Sequence, residues 1–111
     1  MPKLKSYDTD SFSFPIKDKT IKFANVKGHK TYIKNRMDRL LSKEPETIKW
    51  INQFGQDSVF FDVGANIGIY TLYSAVMKEN TVFAFEPHSA SYKNLLDSIN
   101  LNKLEKCQAY C

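Results

Sequence analysis

Apolar and polar positions alternate near the start of the chain, and a helical spacing replaces the alternation farther along. The segment FSFPIKDKTIKF, residues 12–23, places large apolar side chains at every second position on both sides of a polar KDKT. This pattern predicts a β-hairpin, in which Pro15 marks the first strand as an edge strand. Residues 32–41 carry apolar side chains three and four positions apart, which predicts a helix.

A second helix is predicted from the segment SKEPETIKWINQFG, residues 42–55. Pro45 suits the first helical position, and Gly55 is placed to end the helix. Apolar residues recur at helical spacing between them. Trp50 and the phenylalanines are predicted to be core side chains.

From residue 58 onward, short apolar runs alternate with segments of helical spacing. The predicted strands and helices follow one another at residues 58–61, 66–77, 81–86, 91–102 and 107–111. The strands are apolar on both faces, which is typical of parallel strands covered by helices. The order strand, helix, strand, helix, strand predicts an α/β fold with a parallel sheet and right-handed crossovers. Residues 1–55 are therefore predicted to form an N-terminal hairpin with lead-in helices, and residues 56–111 the start of a Rossmann-like domain.

Composition and charge say little about the class of protein or its partners. Hydrophobic residues make up 42% of the 111 positions and charged residues 25%, which is ordinary for a globular domain. The net charge of +4 is uneven, because residues 1–55 hold twelve Lys/Arg against six Asp/Glu. Such a segment could attract nucleic acid or a membrane surface. The lysines are scattered rather than clustered, so a solvated surface is predicted and no nucleic-acid partner is expected.

Location and redox state are predicted from what the sequence lacks. No run approaches the length of a membrane span, and no apolar run follows the basic first residues as it would in a secretory signal. Cys107 and Cys111 have a spacing that fits neither a zinc pair nor a CxxC motif. We therefore expect reduced thiols in a cytoplasmic protein.

Glycines and carboxylates stand at two predicted strand ends. Asp62, Gly64 and Gly68 lie in DVGANIG, between the first strand of the sheet and its helix. Glu86 ends the next strand, 24 positions after Asp62. Glycines in such a turn let a ligand approach the backbone, and a strand-end carboxylate can accept hydrogen bonds from both ribose hydroxyls. Taken alone, the glycine pair fits a plain tight turn about equally well. A merely solvated acid is the alternative for Glu86, and Pro87 argues mildly against it because it stiffens the turn that would direct the carboxylate.

The glycine spacing bears on which nucleoside ligand fits. A dinucleotide site expects G-x-G-x-x-G, whereas this loop reads G-x-x-x-G and lacks the middle glycine. Asp62 would also repel a pyrophosphate. S-adenosylmethionine carries cationic groups and a ribose but no phosphate, and it suits these residues better. A dinucleotide-binding oxidoreductase and a non-catalytic remnant remain as alternatives.

The segment FFDVGANIGIYTL, followed by VFAFEPHSASYKNLLDSINLN, resembles the FkbM family of S-adenosylmethionine-dependent methyltransferases. The resemblance runs from about residue 44 to residue 102. It implies a Rossmann-like class I methyltransferase fold and methyl transfer to a hydroxyl oxygen of a sugar or natural product, so the expected acceptor is a small molecule or glycan. The cofactor-binding residues that it implies are Asp62, Gly64, Ala65, Asn66, Gly68, Tyr70, Thr71, Glu86 and Pro87.

The resemblance also implies that the fold is incomplete. Family members have a seven-stranded sheet, and only two strands and the start of a third are predicted here. We therefore expect the chain to carry the cofactor-binding N-terminal part of such an enzyme and to be inactive alone. Arg36 or Glu44 could reach the cofactor, whereas His88 is expected to lie away from the transferred methyl group. No metal site is expected, and the catalytic base and oligomeric state are not predicted.

Overall fold

The computed structural model describes residues 10–43 and 45–111, so Glu44 lies outside the described residues. Strands and helices follow the predicted order. They are β1 (Ser11–Ile16), β2 (Lys19–Ala24), α1 (Lys30–Ser42), α2 (Glu46–Asn52), β3 (Val59–Val63), α3 (Ile69–Met77), β4 (Thr81–Phe85), α4 (Ser89–Leu101) and β5 (Cys107–Tyr110).

The predicted hairpin is confirmed. Strands β1 and β2 pair antiparallel, with Phe12 opposite Phe23 and Phe14 opposite Ile21. A two-residue turn joins them, and Lys17 in that turn takes a positive φ of 55°. Because successive side chains of a strand point to opposite faces, the alternating pattern places Ile21 and Phe23 together in the core, where both are buried.

The predicted α/β architecture is also confirmed. Strands β3, β4 and β5 form a parallel sheet in that order, with Phe61 opposite Phe83 and Ala84 opposite Ala109. Within the described residues, β3 pairs with β4 alone. The carboxyl ends of β3 and β4 therefore lie side by side, which brings the two predicted functional turns to the same edge of the sheet.

The prediction that both faces of these strands are buried is wrong for β3. Phe60 and Val82 are buried, but Phe61 and Val63 are 62% and 80% exposed. Helices α3 and α4 pack on the face that carries Phe60, and the hairpin packs against these helices. The alternate positions therefore have no such cover among the described residues. Phe61 instead stacks on Phe83 of the neighbouring strand, with 5.5 Å between ring centroids.

Trp50 is not a core residue, contrary to the prediction from its helical spacing. Helix α2 has only seven residues and buries Ile48 and Ile51. Trp50 lies beside that buried face and remains 53% exposed. Its ring makes edge contacts with Phe54 and Phe60, at centroid distances of 4.8 and 5.9 Å. The periodicity placed Trp50 near the core, but a short helix buries only a narrow stripe.

The hairpin is joined to the parallel sheet through the surface of α4. Ala24 N–H donates to Ser98 Oγ at 2.9 Å, and Asn25 Nδ2 donates to Asp97 Oδ2 at 2.7 Å. Buried apolar side chains from residues 1–55 and 56–111 belong to one continuous core cluster. The front of the chain therefore packs directly against the helices that follow the two functional turns.

The two cysteines are free and differ in environment. Burial raises the pKa of the Cys107 thiol to about 12, so this thiol stays protonated and unreactive at neutral pH. Cys111 is exposed. Across residues 10–43 and 45–111, no helix combines the length and the apolar character needed to cross a membrane.

Candidate functional site

The loop between β3 and α3 is built from left-handed residues. Gly64, Asn66 and Gly68 have φ values of 74°, 56° and 97°. Helix α3 consequently begins at Ile69, three positions later than the predicted start at Asn66. A helix cannot run through residues of positive φ, so these residues form an open loop at the end of β3 instead of a first helical turn.

Four of the five N–H groups of residues 64–68 are already hydrogen-bonded within the chain. Gly64 and Ala65 both donate to the Phe85 carbonyl, at 2.8 and 3.0 Å. Asn66 N–H donates to Glu86 Oε1 at 2.7 Å. A pyrophosphate site needs such N–H groups directed at the ligand. The loop geometry therefore disfavours a dinucleotide, in agreement with the missing middle glycine.

Glu86 is held in place by two backbone donors. Asn66 N–H bonds to Oε1 and His88 N–H bonds to Oε2 at 2.9 Å. The His88 bond, followed by the Asn66 bond, lowers the pKa of Glu86 from its usual value, so the side chain is ionised at neutral pH. Each carboxylate oxygen can accept more than one hydrogen bond, so two ligand hydroxyls can still be accepted. The sequence did not predict the role of the His88 backbone.

Asp62 and Thr71 lie beneath the loop. The Thr71 hydroxyl donates to Asp62 Oδ2 at 2.6 Å, and this bond ties the end of β3 to the first turn of α3. Burial raises the pKa of Asp62 above its usual value, and hydrogen bonds from Thr71 partly oppose the increase. Thr71 is fully buried and supports the loop through Asp62, and its predicted place at the cofactor stays a prediction.

We expect the effect of Asp62→Asn on stability to depend on pH. The folded chain holds the Asp62 proton more tightly than the unfolded chain, whose carboxyl titrates near 3.8. The ionised carboxylate therefore opposes folding increasingly as the pH rises from that value through the folded-state pKa. The free energy of unfolding of the variant, relative to wild type, should increase between about pH 3 and about pH 7. Urea denaturation at both pH values checks this, and a constant difference would contradict it.

A groove separates the loop from helix α1. Its volume is about 640 Å³, which is within the range of small-molecule sites. Its lining residues are Tyr32, Asn35, Arg36, Arg39, Gly64, Ala65, Asn66, Ile67, Ile69 and Tyr70. Four of the nine predicted cofactor residues therefore share one cavity wall.

The remaining predicted residues surround that wall. Glu86 is linked to it through the bond to Asn66, with Pro87 exposed just beyond. A side chain at Gly68 would meet Leu95, so this glycine allows α3 and α4 to pack closely. Sequence reasoning named Arg36 as a residue that could reach the cofactor.

Sequence reasoning did not single out the rest of the α1 wall. Tyr32, Asn35 and Arg39 stand three and four positions apart around Arg36. That spacing places them on one polar side of the helix. This spacing of polar residues could have indicated that α1 lines the groove opposite the loop.

A second cavity, also about 640 Å³, lies between β2 and the segment after α4. None of the nine predicted residues lines it, and it is separate from the two strand-end turns. Among residues 10–43 and 45–111, no three His, Cys, Asp or Glu side chains lie close enough to hold a metal ion. The groove beside α1 is therefore the candidate site.

Part of the sequence is similar to known methyltransferases. The chain is 42% identical over 55 residues to the tRNA (guanine(37)-N(1))-methyltransferase of Batrachochytrium dendrobatidis, covering 50% of this chain and 12% of the relative. It is 34% identical over 58 residues to Methyltransferase 1 of Beauveria bassiana, covering 51% and 23%. The chain thus spans less than a quarter of either relative. No family model matches it.

Solved structures confirm the fold. PH0793 of Pyrococcus horikoshii, which is described as a transferase, superposes with a TM-score of 0.53 at 31% identity, over 57% of this chain and 24% of that one. TYW2 of P. horikoshii, in complex with MeSAdo, superposes with a TM-score of 0.59 at 22% identity, over 90% of this chain and 35% of that one. TYW2 of M. jannaschii, in complex with AdoMet, superposes with a TM-score of 0.58 at 20% identity, over 89% of this chain and 42% of that one. The chain has the α/β fold of these proteins, and its sequence is similar to methyltransferases.

Proposed function

We propose that the chain is the cofactor-binding part of an S-adenosylmethionine-dependent methyltransferase. The hydrogen bond between Asn66 N–H and Glu86 Oε1 is the observation that carries the proposal. It joins the glycine loop after β3 to the acid after β4, so one ligand can touch both turns. The similarity to methyltransferases and the AdoMet-bound structural neighbour support the same ligand.

The residues present fit this cofactor. Ionised Glu86 offers acceptors to the two ribose hydroxyls, and its backbone bonds to Asn66 and His88 fix its direction. The loop, with Tyr70 beside it, would lie against the methionine part. Asp62 and Thr71 would hold the loop from below. S-adenosylmethionine, when bound, supplies a methyl group on a sulfonium that an in-line nucleophile can accept, so positioning carries much of the rate.

Membership of the FkbM family, with a sugar or natural-product hydroxyl as acceptor, remains a proposal. It is supported by the motif DVGANIGIYT together with FEPHSASYKNL. The tRNA methyltransferase among the relatives supports a different acceptor. A cytoplasmic location likewise remains a prediction, as does the inactivity of the 111-residue chain on its own. A dinucleotide-binding oxidoreductase is disfavoured because four of the five N–H groups of residues 64–68 are already bonded.

Titration of S-adenosylmethionine by calorimetry tests the proposed function. We expect saturable binding that weakens by at least about tenfold in Glu86→Ala, because charge-assisted hydrogen bonds to the ribose are lost. Glu105→Ala is the matched control, since Glu105 is exposed and lies outside the groove. It should bind like wild type.

NAD is titrated in parallel to test the alternative ligand. Binding of NAD in place of S-adenosylmethionine would favour the oxidoreductase reading. A folded chain that binds neither ligand would reject the cofactor site. Equal weakening of binding in Glu86→Ala and Glu105→Ala would contradict the assignment of Glu86 to the cofactor site. Turnover with any acceptor would contradict the expected inactivity of the isolated chain.

A further inference from the structure

Helix α1 presents a polar face to the glycine loop. Tyr32, Asn35, Arg36 and Arg39 occupy positions i, i+3, i+4 and i+7, and all four line the groove. The apolar residues of the helix point the other way, because Ile33, Met37 and Leu40 are buried. The groove thus has one wall from the cofactor loop and one wall from α1.

The charge that this second wall supplies is positive. Arg36 and Arg39 are the charged residues among those that line the groove, and no acidic residue of the described chain lines it. Both arginines also contact other groups of the chain. Each guanidinium has five N–H donors, so it can keep such a contact and still donate to a phosphate. The segment 1–55 around them has twelve Lys/Arg against six Asp/Glu. A groove of this kind attracts an anion.

Two tyrosines line the same groove as the two arginines. Tyr32 is 63% exposed on α1, and Tyr70 lines the groove from the start of α3. Guanidinium groups bind phosphate through paired N–H donors, and an exposed tyrosine ring can stack on a nucleobase. The combination of two arginines with two tyrosines suits a phosphate that is attached to a planar ring system.

The loop brings no charged side chain to the groove, and several of its N–H groups are already bonded. The N–H groups of Gly64 and Ala65 are bonded to the Phe85 carbonyl, and that of Asn66 to Glu86. The charged side chains that line the groove both belong to α1, so these are the groups that would hold an anion there. This arrangement separates the cofactor, which is fixed by Glu86, from an anionic group of the acceptor, which would be fixed by the arginines.

Resting on the proposed function, we infer that the groove binds a phosphate of a nucleotide acceptor, through Arg36 and Arg39, with Tyr32 stacking on the base. The shared chemistry is a ribose phosphate beside a nucleobase, either as a free mononucleotide or within an RNA strand. This acceptor differs from the sugar or natural-product hydroxyl, and from the absence of a nucleic-acid partner, that the sequence led us to expect.

The test measures two ligands with the 111-residue chain. These are uridine 5′-monophosphate and a fluorescein-labelled oligouridylate RNA of about twelve nucleotides, which cannot imitate the adenosine of the cofactor. Arg36→Gln/Arg39→Gln should weaken binding by at least about tenfold. For the RNA, the salt dependence should also fall by about 1.4 in log–log slope, since each lost phosphate contact on a single strand removes about 0.7.

Lys30→Gln/Lys34→Gln is the matched control. It removes the same charge from the same helix, and neither lysine lines the groove. We expect less than about a threefold change, because exposed lysines that do not line the groove make no direct phosphate contact there. Arg39→Gln alone is measured as well, because Arg39 is exposed and its replacement should leave the core intact if the double variant does not fold.

S-adenosylmethionine affinity is measured on the same preparations, which separates this inference from the proposed function. Arginine-dependent binding of the mononucleotide, or of the RNA alone, supports the inference that the groove binds a nucleotide phosphate. It also identifies whether the acceptor is a free nucleotide or an RNA strand. Absent binding of both, or equal loss in the arginine and lysine variants, overturns it. Loss of S-adenosylmethionine affinity with unchanged nucleotide binding also overturns it, since the arginines would then serve the cofactor carboxylate. Arginine-dependent RNA binding without cofactor binding supports the groove and rejects the proposed function.

Discussion

Gly68→Ala should destabilise the chain by about 2–5 kcal/mol, the sum of backbone strain and overpacking. Gly68 has a φ of 97°, which an alanine rarely adopts. A Cβ built there would stand 2.5 Å from Leu95 Cδ1, and Leu95 is fully buried. The methyl group of Leu95 therefore has little space to move into, and the start of α3 would have to shift away from α4.

Gly64→Ala separates these two causes. Gly64 also has a positive φ, of 74°, but no atom lies within 4 Å of a Cβ built there. It should lose only the backbone strain, about 1–2 kcal/mol. Urea denaturation of both variants gives the comparison. Equal losses would show that the contact with Leu95 is unimportant, and a loss below about 1 kcal/mol in Gly68→Ala would contradict the left-handed geometry itself.

The order of the elements was predictable because each is specified by local spacing. The hairpin, the four helices and the parallel strands all follow from alternation or from recurrence every three or four residues. The start of α3 was misplaced because Asn66 and Gly68 take a conformation that hydrophobic spacing does not report. Spacing identifies which side of an element is apolar, whereas φ at single residues decides where the element begins.

The cover of each apolar face was less predictable, because it depends on elements distant in the sequence. Trp50 and Phe61 have the same apolar character as buried Phe60, yet both are more than half exposed. Their exposure follows from the shortness of α2 and from the packing of α3 and α4 on one side of the sheet. A pattern that is apolar on both faces permits burial on both, and only the tertiary arrangement decides whether it occurs.

The candidate site was likewise predictable only in part. The two strand-end turns were predictable, since parallel strands bring their carboxyl ends to one edge. The bonds that give these turns their chemistry were not, because they join Glu86 to backbone N–H groups of Asn66 and His88. Apart from Arg36, the α1 side of the groove was missed, because its residues lie about 30 positions before the loop in sequence.

Asn80 is a further residue that the pattern did not single out, and it connects α3 to the segment before β3. It is 1% exposed. Its Nδ2 donates to the Gly55 carbonyl at 2.7 Å, and its Oδ1 accepts from the Ser74 hydroxyl at 2.9 Å. Ser74 is fully buried, so its hydroxyl has no access to water if this partner is removed. The side chain thus fixes where β3 enters the sheet, and β3 in turn carries the glycine loop.

Asn80→Ala should therefore lower the free energy of unfolding by about 2–4 kcal/mol, because it leaves a buried hydroxyl unsatisfied and opens a small cavity. Asn100→Ala makes the same chemical change at an exposed position of α4 and should stay within about 0.5 kcal/mol of wild type. Urea denaturation measures both. If the two variants lose equal stability, the bonds of Asn80 contribute nothing beyond the local effect of the substitution. If only Asn80→Ala is destabilised, S-adenosylmethionine binding of its folded fraction should also weaken, because the loop after β3 loses its fixed position.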